Sequence, residues 1–481
     1  MTVYSILALV GSILDLLCLI IVIFVERKNP SSTIAWALVL IFLPFVGFIA
    51  YAMFGSGFHV KKKKRYAIKL IADNMHRRNI AKHIHGHVDT PPQSDRPHGR
   101  LISYLENDGA HFLTGDNAAI IFTDGRDMFD RMKEDMRKAK THIHLLYYIF
   151  RNDSLGREIL DILTEKARSG VDVRIIYDSL GCLLSRGSMF KKLRQAGGQI
   201  VAFSPLVFSL SSHLRLNYRN HRKITVIDGA IGYLGGMNIG EEYLGANPRL
   251  SPWRDTHLRL TGSSVAFLEE RFLLDWTSTT DQPLRNDQIR SFMPRPLVRG
   301  NLNVQIASGG PDTATSTLKN GLLEMIYSAR KNIFIQTPYF TPDDSFLDAL
   351  RIAAGSGVDV RLMLPGLRDH LFVHAASLGY ARQLLGTGVR LFLYNGFLHA
   401  KTLVIDGAVA SIGTANLDYR SFSLNFEINA FIYDEPFAAQ CENIFRNDLD
   451  ACVELDEHWF ADRSPLTRAA YSATRLLAPV M

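Results

Sequence analysis

Two stretches of the sequence carry the same chemically capable residues at the same spacing: His221-x-Lys223-x4-Asp228-x6-Gly235-Gly236-x-Asn238 and His399-x-Lys401-x4-Asp406-x6-Gly413-Thr414-x-Asn416. Every matched position is offset by 178 residues, so chance repetition is untenable. A histidine and a lysine two apart on a strand project from one face, so each copy presents an imidazole beside an ammonium. A packed core has no use for that pair, because an unpaired buried ammonium is costly; something anionic should meet it. If two halves pack around a pseudo-twofold axis, both histidines, both lysines and both asparagines converge, and the cluster suits a phosphate. One imidazole, neutral, attacks phosphorus while the other, protonated, gives its proton to the leaving alkoxide; a reference pKa near 6.5 serves either role. A covalent phosphohistidine then splits one hard displacement into two easier ones, with Lys223, Lys401, Asn238 and Asn416 offsetting charge on the phosphoryl oxygens. No metal and no other cofactor is called for, and no acidic cluster or Walker-type glycine loop is present to supply Mg²⁺ and nucleotide. The competing explanation is a duplicated structural element without chemistry.

The elements that must position these residues repeat as well. His142 to Phe150 is strand-like, Leu155 to Arg168 has helical spacing, and Val171 to Tyr177 is a second strand, which makes a βαβ unit. The same order recurs as Asn332 to Phe340, Phe346 to Ala354 and Val358 to Leu364, with Gly170 and Gly357 as left-handed helix caps. The expected fold class is α/β: two homologous halves, residues 101–295 and 296–456, each a mixed sheet with helices on its faces around a pseudo-twofold site, and a tail at 457–481. Asp228 and Asp406 fall at the turn after each motif strand. His142 and His144 lie on an apolar run and read as core or strand-edge groups. The tail, with Arg468 and Arg475 among Leu, Tyr and Ala, fits either an amphipathic surface helix or a docked one.

Composition places the chain beside a membrane. Lysine and arginine total 54 against 47 acidic residues, a net charge of +7 that is too mild to mark a nucleic-acid binder. Residues 1–60 read as a two-helix transmembrane hairpin, with spans at about 3–25 and 33–54 interrupted by Asp15 and Pro44. Cleavage as a signal peptide is disfavoured, since no basic segment precedes the first run and Glu26-Arg27-Lys28 comes directly after it. Lys61-Lys62-Lys63-Lys64-Arg65 opens a basic juxtamembrane linker over 61–100, and the positive-inside rule puts the rest of the chain in the cytoplasm. His83, His85 and His87 in that linker read as a solvated polar stretch. Four scattered cysteines suggest neither a disulfide framework nor a zinc knuckle.

With the paired motifs, the hairpin ending Leu43-Pro44-Phe45-Val46-Gly47, the segments Ser308-Gly309-Gly310-Pro311-Asp312 and Thr337-Pro338-Tyr339-Phe340, and the run Asn416 to Phe422, the chain resembles bacterial cardiolipin synthases of the phospholipase D superfamily. The resemblance implies a phosphatidyltransferase in the bacterial inner membrane, with cytoplasmic catalytic halves, that joins two molecules of phosphatidylglycerol and releases glycerol. It implies a catalytic set of His221, Lys223, Asp228, His399, Lys401 and Asp406, with the two aspartates tying their turns and His221 favoured as nucleophile. Asn238 and Asn416 match phosphate-binding positions, while Asp255 and Glu427 match the acids that orient the imidazoles. Gly236 departs from Thr414, leaving the first half one hydroxyl short. A hydrolase of the same superfamily, a transferase with another acceptor such as serine or ethanolamine, a nuclease and a noncatalytic membrane scaffold are the alternatives, and the hairpin favours lipid over nucleic acid.

Overall fold

The computed structural model describes residues 3–25, 30–48 except 44, 51, 98–183 except 110, 187–203, 218–280, 286–292 and 300–477 except 314. In the first half the strands are β1 (Thr114–Phe122), β2 (His142–Tyr147), β3 (Asp172–Asp178), β4 (Gln199–Phe203), β5 (Ile224–Ile227), β6 (Ile231–Gly235), β7 (Trp253–Arg254) and β8 (His257–Thr261). In the second they are β9 (Leu302–Gly309), β10 (Asn332–Gln336), β11 (Phe340–Thr341), β12 (Asp359–Pro365), β13 (Arg390–Tyr394), β14 (Phe397–Leu398), β15 (Thr402–Ile405), β16 (Val409–Gly413), β17 (Leu417–Asp418), β18 (Glu427–Tyr433) and β19 (Cys452–Leu455).

Both βαβ units form where the repeat places them. The helix Ser154–Arg168 links parallel β2 and β3, and Asp344–Gly355 links parallel β10 and β12. Asp153 and Asp343 cap the two N-termini by accepting from the backbone N–H of Gly156 and Phe346. Gly170 (φ 91°) and Gly357 (φ 90°) leave the helices in the left-handed region that a side chain resists.

The expectation of two separate mixed sheets needs correction. Fifteen strands make one sheet, in the order β4-β3-β2-β5-β6-β8-β1-β9-β18-β16-β15-β10-β12-β13-β19. Its two arms repeat one order outward from the β1–β9 seam, and β19 is an extra edge strand. The seam is sealed by side chains: Thr114 Oγ1 donates to the Val304 carbonyl at 2.9 Å, and Asn117 Nδ2 to the Leu302 carbonyl at 3.0 Å. Periodicity gives the faces of a strand but not its neighbour across half the chain, which is why the joining was not legible. One apolar cluster crosses the seam, packing Leu146, Val226 and Leu258 of the first half with Val404, Ile412 and Ile428 of the second. The buried helix Ser264–Thr280 contributes Leu268, Phe272 and Trp276 to the same cluster.

Helices Val3–Ile20 and Pro30–Phe42 pack together, with a short π-helical stretch at Ile21–Val25 ending the first. Cys18, Val22, Trp36, Leu40 and Tyr51 are buried between them, and the Asp15 carboxylate accepts the N–H of Phe45 at 3.1 Å. Among the described residues no helix is long and apolar enough to cross a membrane. The second helix starts at Pro30, three residues before the expected span, because proline suits a first helical turn; residues 44, 49–50 and 52–54 of that span lie outside the described residues. The linker at 61–97, with its three histidines, lies outside them as well. The C-terminal helix Pro465–Leu477 is docked on Leu371–Ala381, closely enough that a Cβ on Gly379 would stand 2.5 Å from the Tyr471 carbonyl oxygen.

Candidate active site

His221 and Lys223 sit in the extended segment entering β5, and His399 and Lys401 in the one entering β15. These segments are held across the pseudo-twofold. The His221 N–H donates to the Phe426 carbonyl at 3.0 Å, and the Phe426 N–H to the Arg219 carbonyl at 2.9 Å. Reciprocally, β14 pairs in parallel with β7, and the His399 N–H donates to the Arg254 carbonyl at 2.7 Å. Each motif of one half is therefore laid against the acidic segment of the other.

That exchange decides which carboxylate meets which imidazole. His221 Nδ1 lies 3.0 Å from both carboxylate oxygens of Glu427, and His399 Nδ1 lies 2.7 Å from Asp255 Oδ2. Both acids are fully buried, so each pairing fixes a ring orientation and leaves Nε2 free. Burial pushes the Glu427 carboxyl up and His221 more than reverses this; burial does the same to Asp255, reversed by His399 and Lys401, so both stay ionised. Burial lowers both imidazoles, His399 to about 4, and favours neutral rings in the free enzyme.

The Gly236 and Thr414 difference has a steric cause. Thr414 Oγ1 donates to Glu427 Oε2 at 2.6 Å, whereas a Cβ on Gly236 would stand 2.0 Å from Asp255 Oδ1. The first half gives up the hydroxyl because its carboxylate fills that space. Glu427 is also held by the Ser421 hydroxyl at 2.9 Å.

Lys223 and Lys401 lie deeper than the imidazoles. Lys223 Nζ donates to the His221 carbonyl at 2.7 Å, and Lys401 Nζ to the His399 carbonyl. Burial lowers the two ammonium groups to about 7 and about 8. His221 and His399 line one cleft of about 940 Å³, together with Tyr148, Arg219, Asn238, Tyr243, Asn416 and Arg420.

Asp228 and Asp406 do not come to the cleft, a geometric correction to the set that groups them with the histidines. They stand seven residues further along the chain, up to about 23 Å at 3.3 Å per residue. Asp228-Gly229 and Asp406-Gly407 have positive φ at both residues (53° and 61°, 55° and 62°), as the central pair of a type I′ turn requires; the Ala230 N–H closes the first turn on the Ile227 carbonyl at 3.0 Å and the Ala408 N–H the second on the Ile405 carbonyl at 2.9 Å. The Asp228 carboxylate accepts from the backbone N–H of Lys140, Thr141 and His142, and that of Asp406 from Arg330, Lys331 and Asn332. They fasten the β5–β6 and β15–β16 turns to the starts of β2 and β10.

Spacing also left Arg222 unread, between two motif residues. It is fully buried on the opposite side of the strand, and alternation alone signals that a charge there needs a partner. Its guanidinium donates to Asp275 at 2.7 Å, to the Glu427 carbonyl at 3.1 Å and to the Gly309 carbonyl at 3.2 Å, tying the first motif to the acid of the second half. Arg222→Met is expected to cost about 3 kcal/mol, since Asp275 keeps only Arg271 and Asn220, and to lower Tm by several degrees in thermal unfolding. An unchanged Tm would show that the pair contributes nothing to stability.

Among the described residues one trio of metal-type side chains stands together: His142, His144 and Glu269, buried against Phe272 and Phe292. His144 Nδ1 lies 2.6 Å from Glu269 Oε1, so the trio is an internally paired core feature, apart from the residues that line the cleft.

The family description "Cardiolipin synthase, PLD-like domain" matches residues 132–248 and 322–449, one stretch in each arm of the sheet. A second, "Phospholipase_D-nuclease N-terminal", matches residues 13–56. The chain is 43% identical over 489 residues to the major cardiolipin synthase ClsA of Bacillus subtilis (strain 168), covering 100% of both chains. The chain belongs to the cardiolipin synthase family. The cardiolipin synthase of Listeria monocytogenes serotype 4b (strain F2365) is likewise 43% identical, with 98% of each chain covered. Members are phosphatidyltransferases of the phospholipase D superfamily, and this chain is one of them. The fold is shared with a phosphatidylserine synthase from Haemophilus influenzae Rd KW20, at a TM-score of 0.60 and 15% identity, covering 79% of this chain and 100% of that one.

Proposed function

We propose that this cardiolipin synthase moves a phosphatidyl group from one phosphatidylglycerol to the terminal hydroxyl of a second, through a phosphohistidine on one of its two motif histidines. The observation that carries the reading is the crossed pair His221–Glu427 and His399–Asp255, whose two imidazoles face one cleft. The neutral Nε2 of one imidazole attacks phosphorus; the bond from phosphorus to the headgroup glycerol breaks, and that oxygen takes the proton of the other imidazole, which the bound phosphate diester and its buried carboxylate hold protonated in the substrate complex. The now neutral second imidazole removes the proton of the incoming hydroxyl as it displaces the histidine, which returns both rings to their starting states. Lys223, Lys401, Asn416 and Arg420 offset charge on the phosphoryl oxygens.

The hairpin is proposed to embed in the bilayer, holding the catalytic halves at its cytoplasmic face. Outward-facing Leu16, Ile20 and Phe24 on one helix and Ile34, Leu38 and Phe42 on the other support this, as does the basic run after residue 60.

Purified full-length protein given phosphatidylglycerol vesicles in EDTA, without nucleotide, is expected to form cardiolipin and free glycerol in equal amounts. Phosphatidic acid as the dominant lipid product would overturn transfer in favour of hydrolysis, and a requirement for added metal or nucleotide would overturn the mechanism.

A further inference from the structure

The two halves differ where the motif asparagines meet the cleft. Asn238 Oδ1 accepts the N–H of Ile149 at 3.1 Å, which fixes the amide's orientation, and Nδ2 donates to Tyr243 Oη at 2.5 Å. The phenolic oxygen of Tyr243 is therefore an acceptor in that bond, and its own proton has no acceptor among the described residues. The ring is clamped, with its centroid 4.7 Å from Trp253 and 5.9 Å from His399, and the residue lines the cleft while being only 4% exposed. Adding the repeat offset of 178 to position 243 gives Ser421, whose hydroxyl is already spent on Glu427. One half uses this position to hold its carboxylate; the other leaves a buried phenol in the cleft wall, its oxygen fixed by Asn238.

We propose that Tyr243 is a catalytic residue, donating its phenolic proton in a hydrogen bond to a non-bridging phosphoryl oxygen, with Asn238 as the residue that positions it. The proposal rests on reading the cleft as the phosphatidyl-transfer site. Burial, reinforced by Glu242, raises the phenol well above its ordinary value, so it remains a donor across the working pH range. A fixed donor aimed at developing charge in a buried site contributes about 10²-fold to turnover.

Tyr243→Phe removes the oxygen and keeps the ring against Trp253 and His399. In the full-length protein on phosphatidylglycerol vesicles, kcat is expected to fall about 10²-fold with KM within about threefold. A merely structural role would leave stereochemistry untouched, so the second readout is the rate ratio for the two diastereomers of a phosphorothioate phosphatidylglycerol. A phenol bound to one oxygen sets that ratio, and the substitution is expected to change it by about tenfold or more. A kcat within about threefold of the unaltered protein, or a slowed enzyme with the same diastereomer ratio, overturns the proposal. His221→Ala is run in parallel: activity surviving there refutes the reading of the cleft, whereas activity surviving only in Tyr243→Phe refutes the phenol's role alone.

Discussion

His221→Ala and His399→Ala are each expected to reduce turnover of phosphatidylglycerol by about 10⁵-fold or more, to the limit of detection in a radiolabelled product assay. The size comes from the division of labour. Without the attacking imidazole no covalent intermediate forms, and without its partner the alkoxide leaves unprotonated and the second hydroxyl finds no base. Neither loss has a substitute within reach, because the lysines donate to the histidine carbonyls and the carboxylates are held on Nδ1. Brief exposure to labelled substrate and then peptide mapping separates the roles: the nucleophile variant carries no label, and the label in unaltered protein sits on that histidine. Product formation persisting in either variant would remove the phosphohistidine route.

The second large effect is expected at the lysines. Lys223→Ala or Lys401→Ala should lower kcat/KM by about 10³-fold, the scale for losing a buried positive charge close to a phosphoryl group. The pH dependence gives this a sign. Burial lowers the two ammonium groups to about 7 and about 8, although Glu427 acts against it at Lys223 and Asp255 at Lys401. An ammonium with a lowered pKa is charged below that value and neutral above it, so the free enzyme loses affinity for an anionic headgroup as pH rises through 7 to 8. kcat/KM should fall over that window, while kcat holds to higher pH because a bound phosphate diester restores both charges. An activity profile flat from pH 6 to 9 in both parameters would show that the lysines do not meet the phosphate.

How far the site could be read in advance depended on the range of the information. His221, Lys223, His399 and Lys401 were legible because a short strand fixes its own faces and because the pattern occurs twice. The βαβ units were legible for the same local reasons, down to Gly170 and Gly357. The acids Asp255 and Glu427 came from resemblance; nothing in the chain tells which imidazole each serves, since that depends on β7 lying along β14 and on Asn220 bridging to Phe426. The significance of Arg222 and Tyr243 lies in partners remote in sequence or in an unsatisfied proton, which no local pattern carries. The Asp-Gly turns illustrate the opposite case: resemblance grouped Asp228 and Asp406 with the catalytic set, while their place as turn-tying residues follows from position alone and the positive φ of each Asp-Gly pair accounts for them without chemistry.

The crossing of acids and imidazoles also bears on ancestry and engineering. Each repeat supplies a nucleophile candidate and the counter-ion for its twin's, so neither repeat holds a finished dyad. A gene encoding one repeat would yield an inert monomer that gains competence only by pairing symmetrically with itself. Joining two such repeats in one chain makes that association permanent and lets the copies differ, as Gly236 and Thr414, and Tyr243 and Ser421, do.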